Sequence, residues 1–173
     1  MKKILVLSAA LALAGLSTSA MAAGGQGFAR VEVGNSDVDV DVSGLGSGSD
    51  SDTGYSLRGG YYFNDNFAVE GAYNSLYDQD GAELTSFGVG LMAKKSFGAN
   101  NSGFFIDGRI GVERVKGDVD GSDTSTEPYY GVGAGYDFSE SFGLSLNYDF
   151  HSADFDGVSV DADTLNLAGE FRF

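Results

Sequence analysis

The segment Leu165-Asn166-Leu167-Ala168-Gly169-Glu170-Phe171-Arg172-Phe173 decides how the rest of the chain is read. Leu165, Leu167, Gly169, Phe171 and Phe173 alternate with Asn166, Ala168, Glu170 and Arg172. Successive side chains of a β-strand point to opposite faces, so this spacing builds a strand with one apolar and one polar face. A helical period would mix the two sets around one cylinder.

Upstream the same alternation returns. Phe142, Leu144, Leu146, Tyr148 and Phe150 face away from Gly143, Ser145, Asn147, Asp149 and His151. Tyr130, Val132, Ala134, Tyr136 and Phe138 oppose Gly131, Gly133, Gly135 and Asp137. Phe104, Ile106, Gly108, Ile110 and Val112 oppose Phe105, Asp107, Arg109, Gly111 and Glu113. Phe87, Val89, Leu91 and Ala93 oppose Gly88, Gly90, Met92 and Lys94, and Phe67, Val69, Gly71 and Tyr73 oppose Ala68, Glu70, Ala72 and Asn74. Tyr55, Leu57, Gly59, Tyr61 and Phe63 oppose Ser56, Arg58, Gly60 and Tyr62. The first strand is shorter in pattern, with Ala29, Val31 and Val33 against Arg30, Glu32 and Gly34. Each run is about as long as a tilted membrane strand needs, and eight is the smallest usual number for a closed transmembrane barrel.

The connections alternate in length. Asn64-Asp65-Asn66, Gly98 to Ser102 and Ser139-Glu140-Ser141 are short, and each is bracketed by Phe. Asp37 to Thr53, Lys116 to Glu127 and Asp154 to Asp163 are longer and acidic, with Asp78 to Ala82 on the same side. Short periplasmic turns, longer outer loops and an aromatic belt are the pattern of a membrane barrel. The expected fold is therefore all-β: an eight-stranded antiparallel transmembrane β-barrel with short periplasmic turns and longer acidic outer loops. A soluble β-sandwich also alternates. Here, however, the large aromatics sit at the strand ends, and the polar faces carry Gly and charges of both signs.

Polarity assigns the interior. An eight-stranded lumen is narrow enough to be filled by side chains. Arg30, Glu32, Arg58, Glu70, Lys94, Asp107, Arg109, Glu113, Asp137, Asp149, Glu170 and Arg172 all fall on polar strand faces. Buried charges must pair or cost several kcal/mol each, so these residues are expected to form a lumen charge network, with Gly131, Gly133 and Gly135 making room for Arg and Tyr side chains. Lys95 falls on the lipid face. At midplane a Lys costs about 2–4 kcal/mol and near an interface about 0–1, so it is placed at the periplasmic interface beside Phe97.

Composition narrows the class. The chain has 173 residues, one Pro, no Cys and a net charge of −15. No disulfide or thiolate metal site is available, and the charge opposes binding to nucleic acid. Lys2-Lys3, the apolar run Ile4 to Leu16 and the small-x-small site Ala20-Met21-Ala22 read as a cleaved signal peptide over residues 1–22. Residues 23–173 then form one barrel domain.

Three stretches carry a family resemblance: Gly59-Gly60-Tyr61-Tyr62-Phe63-Asn64-Asp65-Asn66-Phe67-Ala68-Val69-Glu70-Gly71, Gly133-Ala134-Gly135-Tyr136-Asp137-Phe138-Ser139, and the terminal Phe171-Arg172-Phe173. They resemble the small Gram-negative outer-membrane β-barrel proteins, the OmpX/Ail-like and OmpA transmembrane-domain-like groups, over the whole mature chain. The resemblance implies location in the bacterial outer membrane. It implies contact with outer-membrane lipid and lipopolysaccharide, and recognition by the barrel assembly machinery through Phe171 and Phe173. That family serves as adhesins, serum-resistance factors, structural barrels and, rarely, lipid-A enzymes. Because the chain ends with the barrel, the wall-anchoring role of full-length OmpA-like proteins is not expected.

Two clusters stand out as candidate sites. His151 is the only histidine, but Ser152 faces the other side of the strand and Ser145 lies roughly 20 Å along it, so no Ser–His dyad is assembled locally. Asp118, Asp120 and Asp123 are a weak divalent-cation candidate, lacking the Gly and Glu of a calcium loop. No metal and no cofactor is assigned. Val38, Val40 and Val42 suggest a strand that continues past the membrane, with its edge open to a partner strand or paired within the barrel. The expected function is that of a non-enzymatic surface barrel whose acidic loops meet a host or environmental ligand. The alternatives are a narrow small-solute channel and a lipid-A-modifying enzyme.

Overall fold

The computed structural model describes residues 25–42, 46–79, 82–98, 102–118, 122–155 and 158–173. The signal peptide expected over residues 1–22 lies outside them. Eight antiparallel strands follow in order: β1 (Gln26–Val42), β2 (Gly46–Asn64), β3 (Phe67–Gln79), β4 (Ala82–Ser96), β5 (Gly103–Asp118), β6 (Ser122–Asp137), β7 (Phe142–Phe155) and β8 (Val158–Arg172). Each pairs with its sequence neighbours, and β8 returns to β1, so the sheet closes. Closure leaves the wall of the barrel without a free edge. The closing ladder reaches the last residue, where Gly27 and Phe173 exchange backbone hydrogen bonds of 2.8 and 2.9 Å.

The two faces follow the sequence period. Val33, Val69, Leu91, Ile110, Val132, Leu146 and Leu167 stand outward and exposed. Arg30, Arg58, Glu70, Arg109 and Glu170 are buried inside. At the short-turn end the outward aromatics form a belt. Rings pair across the turns: Phe63 with Phe67 at 6.4 Å, Phe97 with Phe104 at 6.0 Å and Phe138 with Phe142 at 6.0 Å. Two of the turns are closed by side chains. Asn64 Oδ1 accepts from the backbone N–H groups of Asn66 and Phe67, both at 2.9 Å. Ser139 Oγ accepts from those of Ser141 and Phe142. Short polar side chains make such turns without help from the core.

At the other end the strands run on. A tilted membrane strand needs about 9–11 residues, whereas β1 has 17 and β2 has 19. The segments expected as long loops are mostly paired strand, with Asp37 opposite Ser51 and Val40 opposite Gly48. The physical reason lies in the polarity of the pattern. In lipid the apolar side chains must face out; beyond it, water demands the reverse. Along β1, Val31 and Val33 point outward, but farther on Val38 and Val40 point inward while Asp37, Asp39 and Asp41 are exposed. The alternation persists and its sign inverts, so β1 continues past the membrane as Val38, Val40 and Val42 suggest, within a stretch whose acidic residues also read as a loop.

The extension is built differently from the barrel. Pairing between β2 and β3 stops at Tyr55–Ser75, and pairing between β6 and β7 stops at Tyr130–Phe150. Pro128, which has no N–H to donate, stands in β6 just past the second break. The other pairs continue to the ends of their strands. Beyond the breaks, β7-β8-β1-β2 and β3-β4-β5-β6 are thus two separate sheets. Val38, Ala153 and Ala162 from the first meet Leu76, Leu84 and Val115 from the second in a buried apolar cluster. The projection buries its apolar faces between two sheets, as a sandwich does, on top of a membrane-type barrel. β1 is hydrogen-bonded on both sides as far as Val42, so its edge is not open to a partner strand.

Candidate functional site

The interior is stacked in layers along the barrel axis. Nearest the short turns lies an apolar layer of Phe28, Tyr62, Ala68 and Met92, with the Phe28 and Tyr62 rings 5.2 Å apart. Around it sits the first charged group. Glu170 receives Arg30 Nη2 at 2.6 Å, Arg172 Nε at 3.2 Å and Lys94 Nζ at 3.5 Å. Asp137 receives Lys94 at 2.9 Å and also pairs with Arg172. The Lys94 ammonium lies 3.8 Å from the centre of the Phe105 ring, a cation–π contact that adds to the ion pairs in a dry site.

The second charged group occupies the middle. Arg58 reaches Glu32 at 3.0 Å, Glu70 at 3.1 Å and Asp149 at 3.5 Å. Arg109 reaches Glu32 at 3.0 Å and Asp149 at 3.1 Å. Arg30 links the two groups through contacts of 3.8 Å to Glu32 and Asp107. A guanidinium presents several donors in a fixed plane, so one Arg can hold carboxylates from three strands. Arg58 does this for β1, β3 and β7.

Above these, Glu113 is the hub of a polar layer. Its Oε1 is 2.7 Å from His151 Nδ1. Its Oε2 accepts from Ser86 Oγ at 2.6 Å, and Asn74 donates to the same hydroxyl at 2.8 Å. Tyr129 stacks on His151 and donates to Glu70 Oε1 at 2.8 Å. The apolar cluster of the extension caps this layer.

All twelve residues read from the sequence as lumen charges are buried on the inner wall. The ion pairs join Arg30, Glu32, Arg58, Glu70, Lys94, Asp107, Arg109, Asp137, Asp149, Glu170 and Arg172; Glu113 stands apart with His151, Ser86 and Asn74. The glycine expectation needs correction. Gly131 makes room for the Asp149 carboxylate, Gly133 for Asn147 and Asp107, and Gly135 for the Phe105 ring. The tyrosine that needs space, Tyr129, finds it over Gly88, Gly90 and Gly111. Glycine spacing within a strand shows that the wall is thin there; which side chain fills it depends on the stagger between strands.

Tyr62, Asn74, Ser86 and Tyr129 are not among the candidates drawn from the sequence, although all four share inward parity with the charges on their strands. Ser86 joins the same carboxylate as His151, so serine, glutamate and histidine do meet. The carboxylate lies between the other two, and the hydroxyl points at it rather than at the imidazole. Asp120 lies outside the described residues, as do the side chains of Asp118 and Asp123; among the described residues no group of His, Asp and Glu could hold a metal ion. Phe171 and Phe173 end the chain with their rings 6.4 Å apart.

Comparison with known proteins gives this architecture a family. Neisserial surface protein A (NspA) superposes with a TM-score of 0.58 at 20% identity, covering 87% of this chain and 99% of that one. Ail, the attachment invasion locus protein of Yersinia pestis, gives 0.52 at 17% identity over 84% and 99%, and a structure of Ail in complex with the heparin analogue sucrose octasulfate gives the same values. The N-terminal β-barrel domain of Pseudomonas aeruginosa OprF gives 0.52 at 17% over 86% and 99%. At these identities the likeness is one of fold. No curated protein sequence matches the chain. The outer membrane protein beta-barrel domain matches residues 8–173, and the chain belongs to that family, a barrel of the bacterial outer membrane with short periplasmic turns and long acidic outer projections.

Proposed function

We propose that this protein is a non-conducting, non-enzymatic surface barrel that presents its two-sheet projection to a partner of basic character outside the cell. The observation that carries this reading is the outward face of β1 and β8. Asp37 stands directly opposite Asp163, and Asp39 opposite Asp161. Like charges directly opposite each other on a sheet are destabilising. A chain that keeps them bears that cost in the free state and is relieved of it by a cationic surface. A sulfated sugar of the kind crystallised with Ail would meet repulsion at this face. The layered interior supports the non-conducting part: guanidinium and carboxylate groups fill the middle and apolar clusters close both ends. Interposition of the Glu113 carboxylate between Ser86 and His151 supports the non-enzymatic part, since the hydroxyl has no adjacent imidazole base.

The test compares the wild type with Asp39→Asn/Asp161→Asn. Cells displaying each are bound to surfaces coated with polylysine or heparin, and to cultured host cells. Binding to the basic surface should exceed binding to heparin, weaken with salt and fall in the variant, while the barrel itself becomes more stable by about 0.2–1 kcal/mol. Equal binding by variant and wild type would sink the adhesive reading. Steady single-channel conductance in planar bilayers would replace it with the channel.

A further inference from the structure

On the lipid-facing wall near the periplasmic turns, three strands form a notch. Phe67 of β3 stands opposite Ala93 of β4, which stands opposite Gly108 of β5. The row above carries Val69, Leu91 and Ile110, and the row below carries Lys95 and Ile106. A methyl group and a missing side chain are thus ringed by large neighbours. The resulting shallow groove has a volume of about 490 Å³ and is bordered by Asn66, Phe67, Lys95 and Ile106.

Lys95 makes this notch more than a gap in packing. It is exposed on the outer wall, whereas its neighbour Lys94 points inward and is paired. Lys95 has no ion-pair partner among the described residues, although the chain carries 25 acidic residues against 10 basic. The Asn66 amide is already committed to the Lys94 carbonyl at 2.8 Å. The ammonium therefore stands at the rim of an apolar groove, at the level of the Phe belt, where headgroup phosphates of the inner leaflet lie. A flexible four-carbon stem lets it reach the interface while its methylenes cover the wall.

We infer that this groove is a binding site for an anionic glycerophospholipid of the periplasmic leaflet, with one acyl chain over Ala93 and Gly108 and the headgroup phosphate on Lys95. The experiment uses the purified barrel in nanodiscs holding equal amounts of phosphatidylglycerol and phosphatidylcholine, with the lipids that remain bound counted by native mass spectrometry. The wild type should retain phosphatidylglycerol over phosphatidylcholine by about fivefold, the effect of one basic residue near an anionic lipid. Lys95→Gln should bring the ratio to parity, Lys95→Arg should keep it, and Ala93→Phe should lower retention of both lipids. A gel shift between boiled and unboiled samples verifies that each variant is folded. No headgroup preference in the wild type, or an unchanged preference in folded Lys95→Gln, would overturn the assignment. The same assay with lipopolysaccharide added separates the leaflets: displacement of phosphatidylglycerol from the wild type by lipopolysaccharide would also overturn it.

Discussion

At the scale of single residues the interior is governed by desolvation. A charge buried without a partner costs several kcal/mol, while a well-paired one is close to neutral against an apolar replacement. The value of Arg58 is thus set by what its absence leaves behind. It contacts Glu32, Glu70 and Asp149, and of these only Glu32 and Asp149 have a second base, Arg109. Arg58→Met should lower stability by about 3–5 kcal/mol, read as a drop in the urea midpoint in detergent micelles. Adding Glu70→Gln should restore part of the loss, because the orphaned carboxylate is then removed. A single variant as stable as the wild type would mean that water enters the lumen and solvates these groups.

At the scale of elements, two kinds of hairpin are built on different principles. The periplasmic turns are short and self-closing, through Asn64 and Ser139. The outer hairpins gain their order from burial between two sheets and from side chains that span the breaks. Tyr77 of β3 donates to Asp50 of β2 at 2.6 Å, across the place where the two strands no longer pair. That hydrogen bond, helped by the Ser51 backbone N–H, holds the exposed Asp50 carboxyl below its ordinary value. A carboxyl whose folded value lies below its unfolded value stabilises the fold in full above the unfolded value, near 4, and loses that contribution as pH falls through the folded value. The bridge should therefore persist from neutral pH down to about pH 4 and release below it. In an NMR titration, Tyr77→Phe should move the Asp50 midpoint upward toward the ordinary value; an unmoved midpoint would show that the bridge does not form in solution.

At the scale of the whole molecule, closure joins the first strand to the last. Phe173 meets Gly27 through backbone hydrogen bonds, which a side-chain change leaves in place. The role of the terminal aromatics as an assembly signal can be separated from their role in the wall on that basis. Phe173→Ala should still refold in detergent and shift on a gel when boiled, yet reach the outer membrane in smaller amount in cells. Equal amounts of wild type and variant in the outer-membrane fraction would remove Phe173 from the signal.

Much of this was legible along the chain. Strand existence, strand number, the inner and outer sets and the short turns depend on local period and on turn chemistry, which neighbouring residues settle among themselves. The inversion of polarity at Val38 was written in the sequence as well, in the alternation of Asp37, Asp39 and Asp41 with Val38, Val40 and Val42. That alternation points to a strand continuing past the membrane, as β1 does, but which of its faces turns inward has meaning only once the solvent on each side is known, so the stretch from Asp37 to Thr53 also reads as a loop. Ion-pair partners, the residues filling each glycine gap, the division of the projection into two sheets and the notch beside Lys95 were decided by tertiary structure alone. Each depends on the stagger between strands, and stagger is a property of the closed sheet: it places residues distant in sequence, such as Arg30 and Glu170 or Ala93 and Gly108, on one level of the wall.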